Sequence, residues 1–274
     1  MTGSISEIEW RALTLAQNRK IQQIRTGDLV RWLEITDEQE RKLLSKLTRR
    51  QLAVRVRRGL YLVPPILPLG GRWSPGEALA LDTLLKDRNG SYQICGPNAF
   101  HRYGWDEQVP NRVSAYNNRI SGDRTIGQVE LSLIRVNDRR LGDIEVVKTP
   151  EKIDLLYSSR ARSLVDAVYD WSRFNSLPRG FDWIQSDLLV GKIGVVDLVE
   201  ATLKFGDQGT IRRIGYLLEG LSRTQRIPAK LLQRLDCSLR PSTSTIPWLP
   251  TIAKRGQVSK RWGLIANAEL PSAT

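Results

Sequence analysis

The chain offers little metal-binding or redox chemistry. It holds one histidine, His101, and two cysteines, Cys95 and Cys237. A zinc centre takes about four Cys or His ligands, or three with a carboxylate. A Cys/His zinc site is therefore excluded, and no metal or other cofactor is expected. Two cysteines far apart in sequence build no disulfide framework and suit a reducing compartment. No run approaches the roughly 18 apolar residues of a membrane span. The opening MTGSISEIEWRALTLAQNRK has no basic stretch leading into an apolar one, so no signal peptide is expected. A cytoplasmic protein with no membrane partner is the expectation. Gly191, Gly194, Gly206 and Gly209 do not fall in the Gly-x-x-x-x-Gly-Lys-Ser/Thr spacing that cradles phosphates. Internal repeats, low-complexity tracts and heptads are absent too, so no coiled-coil dimer is indicated.

What remains is ordinary globular material with an unusual charge. The 274 residues are 41% hydrophobic and 26% charged, enough for one large or two modest domains. The net charge of +13 favours a polyanionic partner. It is unevenly placed. Residues 1–63 carry 13 basic and 7 acidic side chains, residues 64–203 are nearly neutral, and residues 204–274 carry 12 basic and 4 acidic. Two basic ends flank a neutral middle, which predicts separate functions for the ends.

The densest basic stretch is Arg41–Arg58, with eight Lys or Arg and no Asp or Glu. Its period changes halfway. At about 100° per residue, Leu43, Leu44 and Leu47 share one arc, while Arg41, Lys42, Ser45, Lys46, Arg49 and Arg50 share the opposite one. After Gln51 the alternation Val54-Arg55-Val56-Arg57 reads as a strand with its arginines on one side. Arg58-Gly59 supplies a turn, Leu60–Val63 the return strand, and Pro64-Pro65 its end. Like charges at i,i+4 repel by a few tenths of a kcal/mol per pair, and the segment contains no acid to offset them. A polyanion would. A basic helix running into a basic hairpin is the shape of a DNA-reading helix followed by a wing.

The surrounding pattern predicts an α+β protein. Ser4 or Ser6 caps a first helix running to about Ile24, with Glu7 and Glu9 in its first turn. A short helix follows over Gly27–Glu34, and Thr36 with Gln39 has capping-box spacing for a third. Helix, helix, helix, hairpin predicts a winged helix-turn-helix over residues 1–63. Residues 64–72 read as a linker, 73–262 as a mixed α/β domain with a helical C-terminal part, and 263–274 as a loose tail. Within that domain, Pro75 predicts a helix start. Strands are expected at Tyr92–Cys95, Val113–Tyr116, Val129–Val136 and Ile144–Val147. Helices are expected at Ser159–Phe174, Gly194–Phe205 and Gly209–Leu221.

RRGLYLVP after a helix-turn-helix, then PGEALA, GPNAFHRYGW, RSLVDAVYDW and RRIGYLLEGL, form an ordered set that resembles the AbiEi-type antitoxins of type IV toxin–antitoxin (abortive infection) systems. The resemblance covers roughly residues 20–222. It implies an N-terminal winged helix that represses its own operon by binding inverted repeats in promoter DNA. It also implies a second domain that counteracts a nucleotidyltransferase-like toxin without a stable complex, a role in phage defence. Residues 240–274, with Trp248, Trp262, Lys254-Arg255 and Lys260-Arg261, match no motif of that family. The rival readings are a free-standing winged-helix regulator with a ligand-sensing or interaction domain, and a metal-dependent nucleic-acid enzyme.

The residues with chemical potential divide accordingly. Arg41, Lys42, Ser45, Lys46, Arg49, Arg50, Arg55, Arg57 and Arg58 are the expected DNA contacts, with Ser45 central on the helix stripe. His101 has no second histidine or nucleophile in a catalytic spacing, so a hydrogen-bonding role is expected. Asp143-Ile144-Glu145-Val146-Val147-Lys148 resembles the acidic–acidic–Lys strand of metal-dependent nucleases. Glu145 and Lys148, three apart, would point to opposite faces, so exposed strand charges are expected and no catalytic residue is assigned. Asp166 and Asp170, near Arg162 and Arg173, read as helix ion pairs. Lys204, Arg212, Arg213, Arg223 and Arg226 are the candidate antitoxin surface. Either a solvated basic face or a contact for an acidic toxin, its RNA or its nucleotide fits them.

Overall fold

The computed structural model describes residues 5–67, 72–149, 152–223 and 226–271. Ser4, residues 68–71 of the expected linker and residues 272–274 of the expected tail lie outside them. The architecture is mixed α and β, as expected, in two compact units. One takes in residues 1–92, 111–136 and 148–155, the other residues 93–110, 137–147 and 156–274.

The first unit opens with α1 (Glu7–Asn18), capped by Ser6, whose backbone N–H donates to the Glu9 carboxylate at 2.7 Å. This helix stops six residues short of the expected Ile24. Lys20 takes a left-handed φ of 54°, and Gln23–Arg25 becomes strand β1. There Ile24, almost wholly buried, lies in register with Tyr61. The short helix α2 (Asp28–Leu33) and α3 (Asp37–Arg49) follow. The capping box of α3 forms as its spacing predicts. Thr36 Oγ1 accepts from the Gln39 N–H at 3.2 Å, and Gln39 Oε1 accepts from the Thr36 N–H at 2.9 Å. Hairpin β2 (Val54–Arg57) and β3 (Leu60–Leu62) turns at Gly59, φ +78°. With β1 it makes a three-stranded sheet ordered β1-β3-β2. Ala12, Leu13, Ile24, Leu29, Leu43, Leu44, Leu47 and Leu52 form the core beneath.

This unit does not end near residue 63. The helix α4 (Glu77–Lys86) belongs to it, starting after Gly76 rather than at Pro75. Its Thr83 hydroxyl receives a hydrogen bond from Gln23 at 3.2 Å. The Trp73 N–H donates to the Gln51 carbonyl at 2.8 Å. Such bonds fasten residues 73–87 to β1 and to the segment after α3, where a linker of limited flexibility was expected to separate them. After β4 (Tyr92–Ile94) and α5 (Pro97–Arg102), the chain forms β5 (Val113–Asn117), β6 (Gly122–Ile126) and β7 (Val129–Arg135). β7 pairs parallel to β5 and antiparallel to β6. Strand β6, with four of its five residues exposed, carried no apolar alternation to reveal it.

Strands β8 (Ile144–Lys148) and β9 (Asp154–Ser158) lead into the helical part of the second unit. Here α6 (Arg160–Tyr169) is buried on all sides from Ala161 to Val168. The expected continuation to Phe174 breaks at Asp170, ψ 32°, and resumes as the one-turn α7 (Trp171–Phe174). Around α6 lie α8 (Arg179–Leu189), α9 (Val195–Phe205), α10 (Gln208–Leu221) and α11 (Ala229–Cys237). The chain then closes with β10 (Ile246–Pro247), β11 (Gln257–Ser259) and β12 (Leu264–Ala266). Strand β12 is the centre of this sheet, parallel to β10 and antiparallel to β11. Residues 264–266 are thus the middle of a sheet, where a loose tail was expected. Trp262, fully buried, sits against Gly215 of α10, where a Cβ would stand 2.1 Å from the indole.

Candidate nucleic-acid interface

The first unit brings the basic helix and hairpin together on one small sheet and core. Leucines 43, 44 and 47 are buried, and Arg41, Lys42, Ser45, Lys46 and Arg49 are exposed, as the helical arc predicts. Asp37, Glu38 and Glu40 occupy the first turn of α3, with Lys46 and Arg49 in its last turn. That distribution suits the helix dipole, which favours acids at the N-terminus and cations at the C-terminus.

Three of the expected contacts are tied to acids from outside the Arg41–Arg58 segment. Lys42 pairs with Glu38 at 2.7 Å, one turn back and exposed. Arg50 reaches Glu9 of α1 at 3.0 Å. Arg57 donates to Asp87 through Nη2 at 2.8 Å and through Nε. The Asp87 carboxylate also accepts from Arg25 at 2.8 Å, and these arginines hold it below the usual carboxylate range against the opposing effect of burial. Burial opposes ionisation of Glu9 as well, yet the Ser6 bonds and Arg50 hold its carboxyl below the ordinary value. Local charge repulsion in the segment is therefore offset within the protein at these three positions. Among the described residues, no salt bridge joins an acid to Arg41, Lys46, Arg49, Arg55 or Arg58, although the Lys46 charge also helps to hold the Glu9 carboxyl low.

The hairpin departs from simple alternation. Register shifts between Arg55 and Arg57, so the two arginines do not share one face. Arg55 remains exposed in register with Tyr61, while Arg57 turns to Asp87.

Glu40 is a structural residue that composition alone conceals. It is fully buried, and its carboxylate accepts from the backbone N–H groups of Gly27 at 2.8 Å and Leu29 at 3.0 Å. It thereby satisfies donors at the start of α2 from the first turn of α3 and fixes the two helices together. The signal was present: Glu40, Leu43, Leu44 and Leu47 have the i, i+3, i+4, i+7 spacing of one buried face.

The second unit holds a cleft of about 520 Å³ lined by Asp143, Glu145, Arg160, Lys192, Glu200 and Lys204, among others. Its charges are mixed and largely engaged. Glu145 faces Arg102 at 3.5 Å, and Glu200 pairs with Arg234 at 2.7 Å. Arg160 donates to Asp187 through Nη2 at 2.9 Å, and Asp187 also accepts from Trp105 Nε1 at 3.1 Å. Lys148 is not part of the cleft lining. Among the described residues no group of three His, Cys, Asp or Glu could hold a metal ion. The nuclease-like constellation is not brought together.

Other sequence candidates fall into structural roles. His101 is exposed, with Nδ1 3.1 Å from the Asp106 carbonyl. Trp105 stacks on Trp183 at the core, 5.8 Å between centroids. Asp166 and Asp170 form the expected helix ion pairs, with Arg162 one turn away and with Arg173 at 3.9 Å, but the Asp166 pair lies inside the protein. Asp166 is fully buried between Arg162 at 2.9 Å and Arg140 at 3.1 Å, and burial pushes its carboxyl up against the pull of both arginines. Arg212 and Arg213, expected on an interaction surface, are only 7% and 9% exposed. Arg212 donates to the Ser244 carbonyl at 3.0 Å and Arg213 to the Trp248 carbonyl at 3.1 Å, so they bind the C-terminal strands to α10. Lys204, Arg223 and Arg226 remain exposed. No helix among the described residues is long and apolar enough to cross a membrane.

No family model matches the chain, and no curated protein matches it. The fold is similar to a crystal structure of the RV2827C protein from Mycobacterium tuberculosis, with a TM-score of 0.57 and 15% sequence identity. That similarity covers 95% of this chain and 92% of the other. At this identity the likeness concerns fold alone.

Proposed function

We propose that residues 5–63 are a winged helix-turn-helix that binds double-stranded DNA, with α3 in the major groove and the β2–β3 hairpin as the wing. The observation that carries this reading is the row of exposed cations that make no salt bridge among the described residues: Arg41, Lys46 and Arg49 on α3, and Arg55 and Arg58 on the hairpin. Phosphate contacts from these position the protein, and Ser45 on the same stripe is suited to a base edge. The protein's own promoter is the target, read at inverted repeats, which makes the chain an autorepressor. The resemblance to AbiEi-type antitoxins extends the proposal: a cytoplasmic antitoxin, not itself an enzyme, that counteracts a nucleotidyltransferase-like toxin without a stable complex. The exposed Lys204, Arg223 and Arg226 are the part of the second unit's basic surface left for that role.

The DNA reading is tested by titrating promoter DNA across a salt series. The logarithm of the binding constant should fall linearly with log salt, by roughly 0.9 per neutralised phosphate. Salt-independent binding, or none to that promoter, overturns it. The antitoxin reading is tested separately by co-expression with the product of the adjacent gene. Growth rescue supports it, and failure to rescue favours a free-standing regulator.

A further inference from the structure

A second cleft lies in the first unit, beside the C-terminal end of α3 and strand β2. Its volume is about 450 Å³, within the range of small-molecule sites, which is roughly 300–1,000 Å³. Arg55, Arg72, Trp73, Gln51 and Gln128 contribute to its lining, and among the described residues no acid does. Arg55 and Arg72 are exposed and Trp73 is half-buried.

The walls are held by specific bonds. The Trp73 N–H donates to the carbonyl of Gln51, a residue kept in the left-handed region at φ 58°. The Gln128 N–H donates to Ser74 Oγ at 2.9 Å. The turn at Gly127, φ +66°, comes so close to this segment that a Cβ would stand 2.6 Å from Ser74 Oγ and 3.1 Å from Pro75 Cδ. Only glycine permits that approach. The cleft is therefore built into the fold rather than left between mobile side chains.

We infer that this cleft binds a nucleotide. Two guanidinium groups with no competing acid suit a phosphate. A half-exposed indole offers a stacking face for a base, and two carboxamides can each donate to and accept from a base edge. Phosphate, ring and polar edge are the three parts of a nucleotide, and the lining has a counterpart for each. The source is either a free nucleotide or a nucleotide of an extended single strand. Arg55 belongs to both this cleft and the proposed wing, so an occupied cleft removes one cation from the DNA-contact face. That coupling rests on the DNA-binding reading, whereas the ligand site itself does not.

The test is isothermal titration calorimetry on the full chain, using each common ribonucleoside mono- and triphosphate singly and a short single-stranded DNA. At least one free nucleotide should bind with a dissociation constant below about 1 mM. Arg72→Ala and Trp73→Leu should each weaken it about tenfold or more. Lys46→Ala should leave nucleotide binding unchanged while weakening duplex binding, and Arg72→Ala should do the reverse. Arg72 is exposed, so its variant tests the site without a packing defect. Binding of the single strand alone, lost in Arg72→Ala, supports the site and identifies a strand as the source. Absence of any binding, or binding indifferent to both cleft variants, overturns the proposal. Duplex affinity unaltered by saturating nucleotide overturns the coupling alone.

Discussion

Arg57 Nη2 lies 2.8 Å from Asp87 Oδ1, which ties an arginine of the basic hairpin to a carboxylate just beyond α4. Arg57 is thus already charge-compensated, whereas Arg55, two residues earlier, is exposed without an acid partner among the described residues. Two residues of the same type in one strand should then differ in what they give to DNA. Arg55→Ala is expected to reduce the salt slope of promoter binding by about 0.9, and Arg57→Ala to leave it nearly unchanged. Equal slopes for both variants would contradict this assignment.

Asp87 also makes a pH prediction. Its carboxyl is held low in the folded protein, chiefly by the hydrogen bonds from Arg57. A depressed folded-state value means stabilisation that is complete above the unfolded carboxyl pKa, about 3.9, and lost as pH falls through the folded value. At neutral pH, Asp87→Asn should be less stable than wild type by about 1–2 kcal/mol. The gap should close progressively below about pH 4. Denaturant unfolding of both proteins across pH measures it, and a gap that persists unchanged in acid would count against the ion pair.

Glu40 joins α2 to α3 through two backbone donors. Glu40→Ala leaves both N–H groups without their acceptor and should destabilise the first unit by about 2–3 kcal/mol. Glu40→Gln keeps one acceptor oxygen and turns a donor towards the other N–H, so its cost should lie between. The order wild type, Gln, Ala in denaturant midpoint is the expected result. An Ala variant as stable as wild type would remove Glu40 from the helix junction.

An alanine in place of glycine inside a helix ordinarily stabilises by roughly 1 kcal/mol. At Gly215 the sign should reverse, because the added Cβ meets the Trp262 ring at 2.1–2.5 Å. Overpacking of this kind costs about 1–3 kcal/mol, and Trp262 also donates Nε1–H to Glu219 at 2.8 Å, so it has little freedom to move. Gly215→Ala should lower the unfolding temperature, and pairing it with Trp262→Leu should recover part of the loss. No recovery in the double variant would mean that the helix and the tryptophan are not in conflict.

Much of the first unit was legible in order of residues. The capping box at Thr36, the leucine arc of α3 and the turn at Gly59 depend on neighbours a few positions away, and periodicity reads such neighbours directly. The basic ends were legible by counting. The rest depended on partners far off in sequence. Glu9 and Asp87 lie outside the basic segment they neutralise, 41 and 30 residues from Arg50 and Arg57. Strand β1 is three residues long, and the single alternation Gln23-Ile24-Arg25 is too short to distinguish it from the end of a helix. Its extended form is decided by pairing with β3.

The cationic stripe, the helix that carries it and the hairpin after it were determined by the sequence alone, because side-chain spacing and backbone propensity are local. Which of those cations remain available was decided by tertiary structure, because an ion pair needs two charges within a few ångströms, whatever their separation along the chain. The same holds at the other end. Arg212 and Arg213 count towards a basic surface in the sequence. The fold buries them against the carbonyls of Ser244 and Trp248, to which they donate hydrogen bonds in place of solvent.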